Sequence, residues 1–290
     1  MTILISILII SALAVLLASV AGGVGAILIG AGRQPLATGG SQTVGIGGGS
    51  ALLRRGAGIG LIVAFGLLAG ALVTRAVLVG HAPWSNLHEF SVAFAAALIG
   101  SHLLLARTNP LEGLAPFTAL LAAGLVAFSL GLDDRVDPLV PALQQPLLLT
   151  IHVGAAVLAY AVSGIAFVAA AAEIGQVHSG DRIPLLPLAA AARAIGHRAV
   201  LIAFPILTIA IALGSVWANL AWRSYWSNDP KELAAAATWL VFGAYLHVAG
   251  RRDRWERLAP WLIVLGFAGV LFTYIGAGLF FIGEHSYAAP

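Results

Sequence analysis

The chain has 290 residues, 60% of them hydrophobic and only 9% charged, with a formal net charge of +3 and a mean hydropathy of +0.98. A soluble domain carries roughly 25% charged residues, so the composition excludes an ordinary soluble enzyme. Apolar runs of helix length predict an all-α integral membrane protein of about eight transmembrane helices, since a membrane barrel shows short alternating segments instead. There is no Cys, and the single Met is residue 1, which excludes disulfides and thiolate metal sites and says nothing about redox compartment.

The first apolar run covers about Ile3–Ile29 and, lacking a basic leading segment, is expected to be a retained helix and not a cleaved signal. A connector rich in Gly, Ser and Thr, from Gly30 to Ser50, has the composition of a flexible loop and ends at Arg54 and Arg55. The second run is about Gly56–Val79; Arg75, near its far end, is expected to snorkel to the interface. The loop GHAPWSNLHEF holds His81 and His88, and Ser85 or Asn86 is placed to cap the third helix, about Leu87–Ala106. His102 lies inside that third run.

The fourth run, about Leu114–Leu132, leads into a polar, Pro-broken connector from Asp133 to Pro146. The fifth is about Leu147–Ile174 and opens with His152, the sixth is Ala199–Val216, the seventh is Leu233–Ala249 with His247 near its end, and the eighth is about Leu262–Ile282. His285 follows the eighth. His178 and His197 fall in the loop between helices five and six and read as surface residues.

Charge sets an expected topology. Arg33, Arg54, Arg55, Arg107, Arg182, Arg193, Arg198, Arg251, Arg252, Arg254 and Arg257 follow helices one, three, five and seven, whereas Arg135, Arg223 and Lys231 follow two, four and six. The excess of positive charge on the cytoplasmic side puts both termini and the loop after helix six outside the cytoplasm. The basic pI of about 9.7 is thereby explained by orientation, with no nucleic-acid partner.

That loop is the part of the chain apolar packing does not explain. Gly214–Glu232, reading GSVWANLAWRSYWSNDPKE, places Trp217, Trp222, Tyr225 and Trp226 beside Arg223, Asp229, Lys231 and Glu232. The rings alone would suit a membrane-interface belt. A belt needs no charged cluster; a flat, hydrophobic, dianionic ligand wants ring faces for its plane and cations for its carboxylates.

The segment resembles the tryptophan-rich WWD motif of the CcsA/ResC family of cytochrome c assembly proteins, roughly G-x-x-W-A-x-x-A-W-G-x-Y-W-x-W-D-P-K-E. Gly214, Trp217, Ala218, Ala221, Trp222, Tyr225, Trp226, Asp229, Pro230, Lys231 and Glu232 match, while Arg223 stands where Gly is usual and Asn228 where the last Trp is usual. The loop at His81 is similar to the family's G-H-F-P-x-S-N-L-Y-E stretch, with His88 at the Tyr position, and His247 and His285 fit its Y-L-H and terminal H-S-Y patterns. The resemblance is dense from Leu147 to Tyr287 and absent from about the first 55 residues. It divides the chain into a first helix with linker (1–55), helices two to four (56–146) and a core of helices five to eight with the tryptophan loop (147–290).

The resemblance implies a haem-handling subunit of a cytochrome c synthase (haem lyase), with haem b as substrate, working with a CcsB/ResB-like membrane protein and an apocytochrome c bearing CxxCH. A thioredoxin-like thiol reductant is a further implied partner, and the host membrane is a bacterial plasma membrane or a thylakoid. It implies that His152 and His285 are axial ligands of an outer haem, with His247 serving an inner station. From spacing, His247 lies 16 residues beyond Lys231, about 24 Å down a helix and near the far side of a hydrocarbon core about 30 Å thick. One iron therefore cannot take all three. A partner histidine or His102 would complete the inner station. Arg223 and Lys231 are candidates for the propionates, Asp229 and Glu232 for orienting Lys231 or the loop, and His81 is a secondary site residue. Alternatives are a non-catalytic haem-binding or regulatory protein similar to HemX and, with little support, a small-solute transporter.

Overall fold

The computed structural model of the chain describes residues 2–31, 48–135, 146–250, 255, 257–281 and 283–285. These residues form helices and connecting turns, with no strand among them, and eight helical stretches are long and apolar enough to cross a membrane. The order is α1 (Thr2–Ala31), α2 (Gly48–Val79), α3 (Leu87–Leu105), a 3₁₀ turn (Glu112–Leu114), α4 (Ala115–Leu130), α5 (Pro146–Ser179), α6 (Ala189–Trp222), α7 (Pro230–Ala249) and α8 (Ala259–Leu271). A π turn, Phe272–Gly276, carries α8 into the short α9 (Ala277–Phe280).

Most of these helices are apolar on every side, as helices facing lipid outward and neighbours inward must be. Their burial sorts them into layers: 72% of the α3 span and 67% of the α5 span are buried against other helices, against 28% for α1 and 17% for α7. The centre of the bundle is therefore α3 with α5, and α4 and α8 pack around it. α1 lies against α2, and α6 lies along α5. One continuous core runs from Ile5 of α1 to Tyr274 of the π turn.

Several boundaries differ from the sequence expectation. α2 begins at Gly48, so Arg55 lies on a helix and not in the connector; residues 32–47 of that connector, with Arg33, lie outside the described residues. The same holds for residues 136–145 and for Arg251, Arg252 and Arg254. α5 and α6 each run for 34 residues, about 51 Å and well beyond a hydrocarbon core. Their charged ends read as loop because they leave the apolar layer, yet the backbone stays helical. His197 and Arg193 accordingly lie on α6. His197 is half-buried with Nδ1 3.2 Å from the Tyr245 hydroxyl, and Arg193 pairs with Glu173 of α5 at 2.7 Å.

Arg75 corrects a second expectation. It is 4% exposed and its Nε donates to Glu89 Oε1 at 2.7 Å, so it does not snorkel. The other Glu89 oxygen accepts from the Ser85 amide and hydroxyl, both at 2.8 Å, and the Asn86 side chain caps α3 through the Glu89 amide at 2.8 Å. Breaking a buried pair of this kind costs about 3–5 kcal/mol. This one fixes the loop between α2 and α3 against both helices.

Candidate functional site

At the end of the bundle where α5 begins and α6 ends, a cavity partly open to solvent lies between α3, α5, α6, α7 and the π turn. His152 and His285 both line it. His152, in the second turn of α5, puts Nδ1 2.9 Å from the Ala210 carbonyl of α6. That approach depends on Gly214, one turn further along α6, where a Cβ would lie 2.6 Å from His152 Cε1. The glycine that opens the motif is thus the seat of the imidazole.

His285 is held by the other end of the motif. Its Nδ1 lies 2.8 Å from Asp229 Oδ1, and its amide donates to Asp229 Oδ2 at 3.4 Å. Asp229 is 4% exposed and is also the N-cap of α7: it accepts from the Lys231 amide at 2.8 Å, while Glu232 reaches back to the Asp229 amide at 3.1 Å, closing a capping box. Burial alone would raise the Asp229 carboxyl. The hydrogen bond and charge of the His285 imidazole, with the amides of Lys231 and His285, outweigh it and hold the group down at about 2. Gly283 lets the tail come this close, since a Cβ there would sit 2.3 Å from Asp229 Oδ2.

The four rings of the motif divide into two pairs. Trp217 is 2% exposed and packs behind both imidazoles, its centroid 6.0 Å from His152 at an interplanar angle of 13° and 5.8 Å from His285 at 45°. Trp222 sets its edge against Trp217 at 4.7 Å and His285 at 4.9 Å. Tyr225 and Trp226 line the cavity with Trp217, whereas Trp222 stands behind the wall; Tyr225 and Trp226 are 59% and 41% exposed, which puts them at its mouth.

Lys231 and Glu232 line the cavity, whereas Arg223 is exposed and absent from its lining. Arg223 is the C-cap of α6 with φ 62°, and Asn228 has φ 59°. This is the left-handed region where Gly is cheapest and Asn is tolerated. The conformation explains why a Gly suits the first position, and Asn228 uses its own to accept the Trp226 indole N–H at 2.9 Å.

The remaining histidines lie elsewhere. His247 is exposed in the last turn of α7, at the opposite end of that helix from Asp229. His102 is buried between α3 and α4 with Nδ1 2.9 Å from Thr118 Oγ1. His81 is half-buried with Nδ1 2.9 Å from the Ala82 carbonyl and does not line the cavity; its neighbours Trp84, Ser85 and Asn86 do. His88 is a packing residue, with Nδ1 2.9 Å from the Ser129 carbonyl. Ser286 and Tyr287 of the terminal pattern lie outside the described residues.

The sequence did not single out Trp84, Phe90, Tyr160 or Tyr274, all of which line the cavity. Phe90 stacks on Tyr274 at 5.2 Å and lies 6.3 Å from Tyr160, joining α3, α5 and the π turn. Tyr274 bonds to Ser91 through their hydroxyls. A π turn is a frequent mark of a functional position within a helix, and this one places Thr273 and Tyr274 on the cavity.

A family model described as cytochrome C assembly protein matches residues 84–285, from the loop before α3 to the second cavity histidine. The chain belongs to this family of membrane proteins, CcsA/ResC, and has a role in cytochrome c biogenesis. Three similar proteins are each called cytochrome c biogenesis protein CcsA. That of Parasynechococcus marenigrum is 34% identical over 253 residues, covering 76% of this chain and 82% of its own length. That of Synechococcus elongatus is 33% identical over 279 residues, covering 79% and 86%, and that of Chlamydomonas reinhardtii is 36% identical over 231 residues, covering 76% and 65%. With these relatives and eight helices able to span, the chain is an integral membrane protein.

Proposed function

We propose that this chain is the haem-handling subunit of a cytochrome c synthase, taking haem b as substrate and holding it between His152 and His285 for thioether attachment to the CxxCH cysteines of an apocytochrome c. One observation carries the reading: two imidazoles, each with Nδ1 engaged by an acceptor, line a single aromatic-walled cavity. A neutral imidazole that donates from Nδ1 has its lone pair on Nε2, and a carbonyl or carboxylate in that second position is how proteins orient metal-binding histidines.

The cavity supports the assignment on its chemistry. Its walls are apolar and aromatic, with Lys231 supplying a cation for a carboxylate. Among the described residues no three His, Cys, Asp or Glu converge on one point; a pair of imidazoles suits a metal that carries its equatorial ligands with it.

Bound haem would supply two vinyl groups, across which thiol S–H bonds add without net oxidation. The chain's own residues have little acid or base work to do. They orient the ring, keep its iron coordinated and hold it still at a site whose rim, Tyr225 and Trp226, is open to an incoming segment, a proximity contribution. The exposed position of His247 supports a second station at the other end of α7, completed by an imidazole of a CcsB/ResB-like partner, with the tryptophan loop and both termini outside the cytoplasm. Synthase activity then requires that partner and an apocytochrome kept reduced by a thioredoxin-like protein.

The test is coexpression with a CcsB homologue and a reporter apocytochrome. Covalent cytochrome is expected only when both chains are present, and the purified chain should carry a bis-histidine haem spectrum. Haem without synthase activity would favour the non-catalytic, HemX-like alternative, to which the departures at Arg223 and Asn228 also point. Purified chain with no haem spectrum would sink both.

A further inference from the structure

Haem carries two carboxylates, and of the two cations expected to meet them only Lys231 lines the cavity, since Arg223 lies off its wall. The Lys231 side chain is half-buried, and its ammonium makes no hydrogen bond or ion pair with a described residue. Hydroxyl donors on the wall are committed within the protein: Ser85 to Glu89, Ser215 to the Tyr225 carbonyl and Thr273 to the Gly269 carbonyl. Asn86 differs. Its Oδ1 accepts from the Glu89 amide at 2.8 Å and so caps α3. A cap needs an acceptor, so the oxygen of the side-chain amide turns to the helix and the nitrogen turns away from it. That Nδ2 meets no acceptor among the described residues, keeps accessible surface, and belongs to a residue of the cavity wall.

We propose that Asn86 Nδ2–H donates to one carboxylate of the haem held between His152 and His285, with Lys231 meeting the other, and that the two together fix the rotation of the ring within its own plane. The inference rests on the haem reading and follows from the chemistry of the ring. Its four pyrrole nitrogens face the iron, and its methyl and vinyl groups accept no hydrogen bond. The two propionates are the only acceptors on its edge, so donors in the cavity wall select that edge. With the propionates drawn to α3 and α7, the vinyl groups occupy the other side of the ring, where a thiol must reach them. Neither axial histidine can set this rotation, because each binds along the ring normal. Asn86 suits the task because its amide is already held in place: Glu89, which it caps, is paired with buried Arg75, so little ordering remains to be done when the ligand arrives.

The experiment compares two ligands on the full chain in one detergent: haem, and haem dimethyl ester, whose carboxylates are capped and uncharged. Asn86→Ser and Asn86→Asp both keep a side chain that caps a helix about as well as Asn, so thermal stability should hold in each. The first removes the amide donor, and the second puts an anion in its place. Haem is expected to bind about tenfold more weakly to Asn86→Ser and about hundredfold more weakly to Asn86→Asp, the two ends of the range for a hydrogen bond to a charged group. The loss for the dimethyl ester should be about threefold or less in both, because a neutral acceptor makes a weaker bond and feels no repulsion. Equal losses for both ligands, the mark of a role in the cap alone, or no loss for either, would overturn the inference and leave the haem reading standing. Wild-type protein that binds neither porphyrin would overturn the reading, and the inference with it.

Discussion

The two ends of α7 carry a histidine problem solved in two ways. At the N-terminal end, Asp229 caps the helix and takes His285 Nδ1 at 2.8 Å, with Trp217 and Trp222 packed on the imidazole. At the C-terminal end, His247 is exposed, and its own helix provides it no comparable seat. The difference teaches that a histidine's surroundings, and not its presence in a membrane helix, decide whether its ring is held in one orientation. His102 makes the same point from the other side: buried and bonded to Thr118, it ties two helices together and does not line the cavity.

The contrast is broken or sharpened first by removing the cavity imidazoles. His152→Ala and His285→Ala should each abolish most haem retention through purification, with imidazole added to the buffer restoring part of it; unchanged haem content in both would end the outer-site assignment. His247→Ala should lower haem loading while the thermal transition of the tryptophan loop stays in place, read from Trp fluorescence.

Asp229→Asn is the next largest. Asn caps a helix about as well as Asp, so the variant isolates the bond to His285, and on the proposed reading haem affinity should fall about 10- to 100-fold, the usual loss when a residue that orients a metal-binding side chain is removed. The sign with pH is fixed by the depressed carboxyl. Lying at about 2 in place of its ordinary 3.8, it contributes stability that is complete above about pH 4 and is lost as pH falls towards 2. The infrared band of the protonated acid, identified by its absence in Asp229→Asn, should not appear on acidification from pH 7 to pH 4.

Gly214→Ala probes the seat of the other imidazole. The added methyl must push His152 off the Ala210 carbonyl, a packing conflict worth about 1–3 kcal/mol, and the haem spectrum should lose its low-spin character while the helix remains. Arg223→Gly is the smallest change. Relief of a left-handed arginine, offset by the entropy of glycine, should raise stability by about 0.5–1 kcal/mol, measured by thermal melting. Haem affinity should not move, given that Arg223 lies off the cavity wall; a clear loss would restore it as a propionate ligand.

Much of this was legible in the chain alone. The apolar runs located all eight spans, Asn86 was recognisable as a cap, and the motif brought His152, His285 and the tryptophans to one end of the bundle. The rest of the wall was not legible, because Trp84 and Phe90, Tyr160, and Tyr274 come from three separate segments, and the last three sit in helices whose aromatic content is ordinary for a membrane protein. Arg75 was misjudged for a related reason. An arginine near a helix end is usually wet, and only Glu89, in the first turn of the next helix, signals that a buried partner is at hand. Helices five and six were cut short because charge in a membrane protein reads as an exit from the bilayer, which says nothing about where the backbone stops being helical.

The π turn at Phe272–Gly276 has a consequence for the carboxyl tail. A π turn accommodates one residue more than the α-helix on either side, and each residue of an α-helix advances the chain by about 100° around its axis. The wide turn absorbs that extra residue, and so sets the compass bearing on which the chain leaves α9 and with it whether Gly283 and His285 arrive over Asp229. Forcing these residues into regular α-helix without deleting one would swing the tail by about 100° to a different side of the bundle, leaving both histidines in the sequence but only one at the cavity.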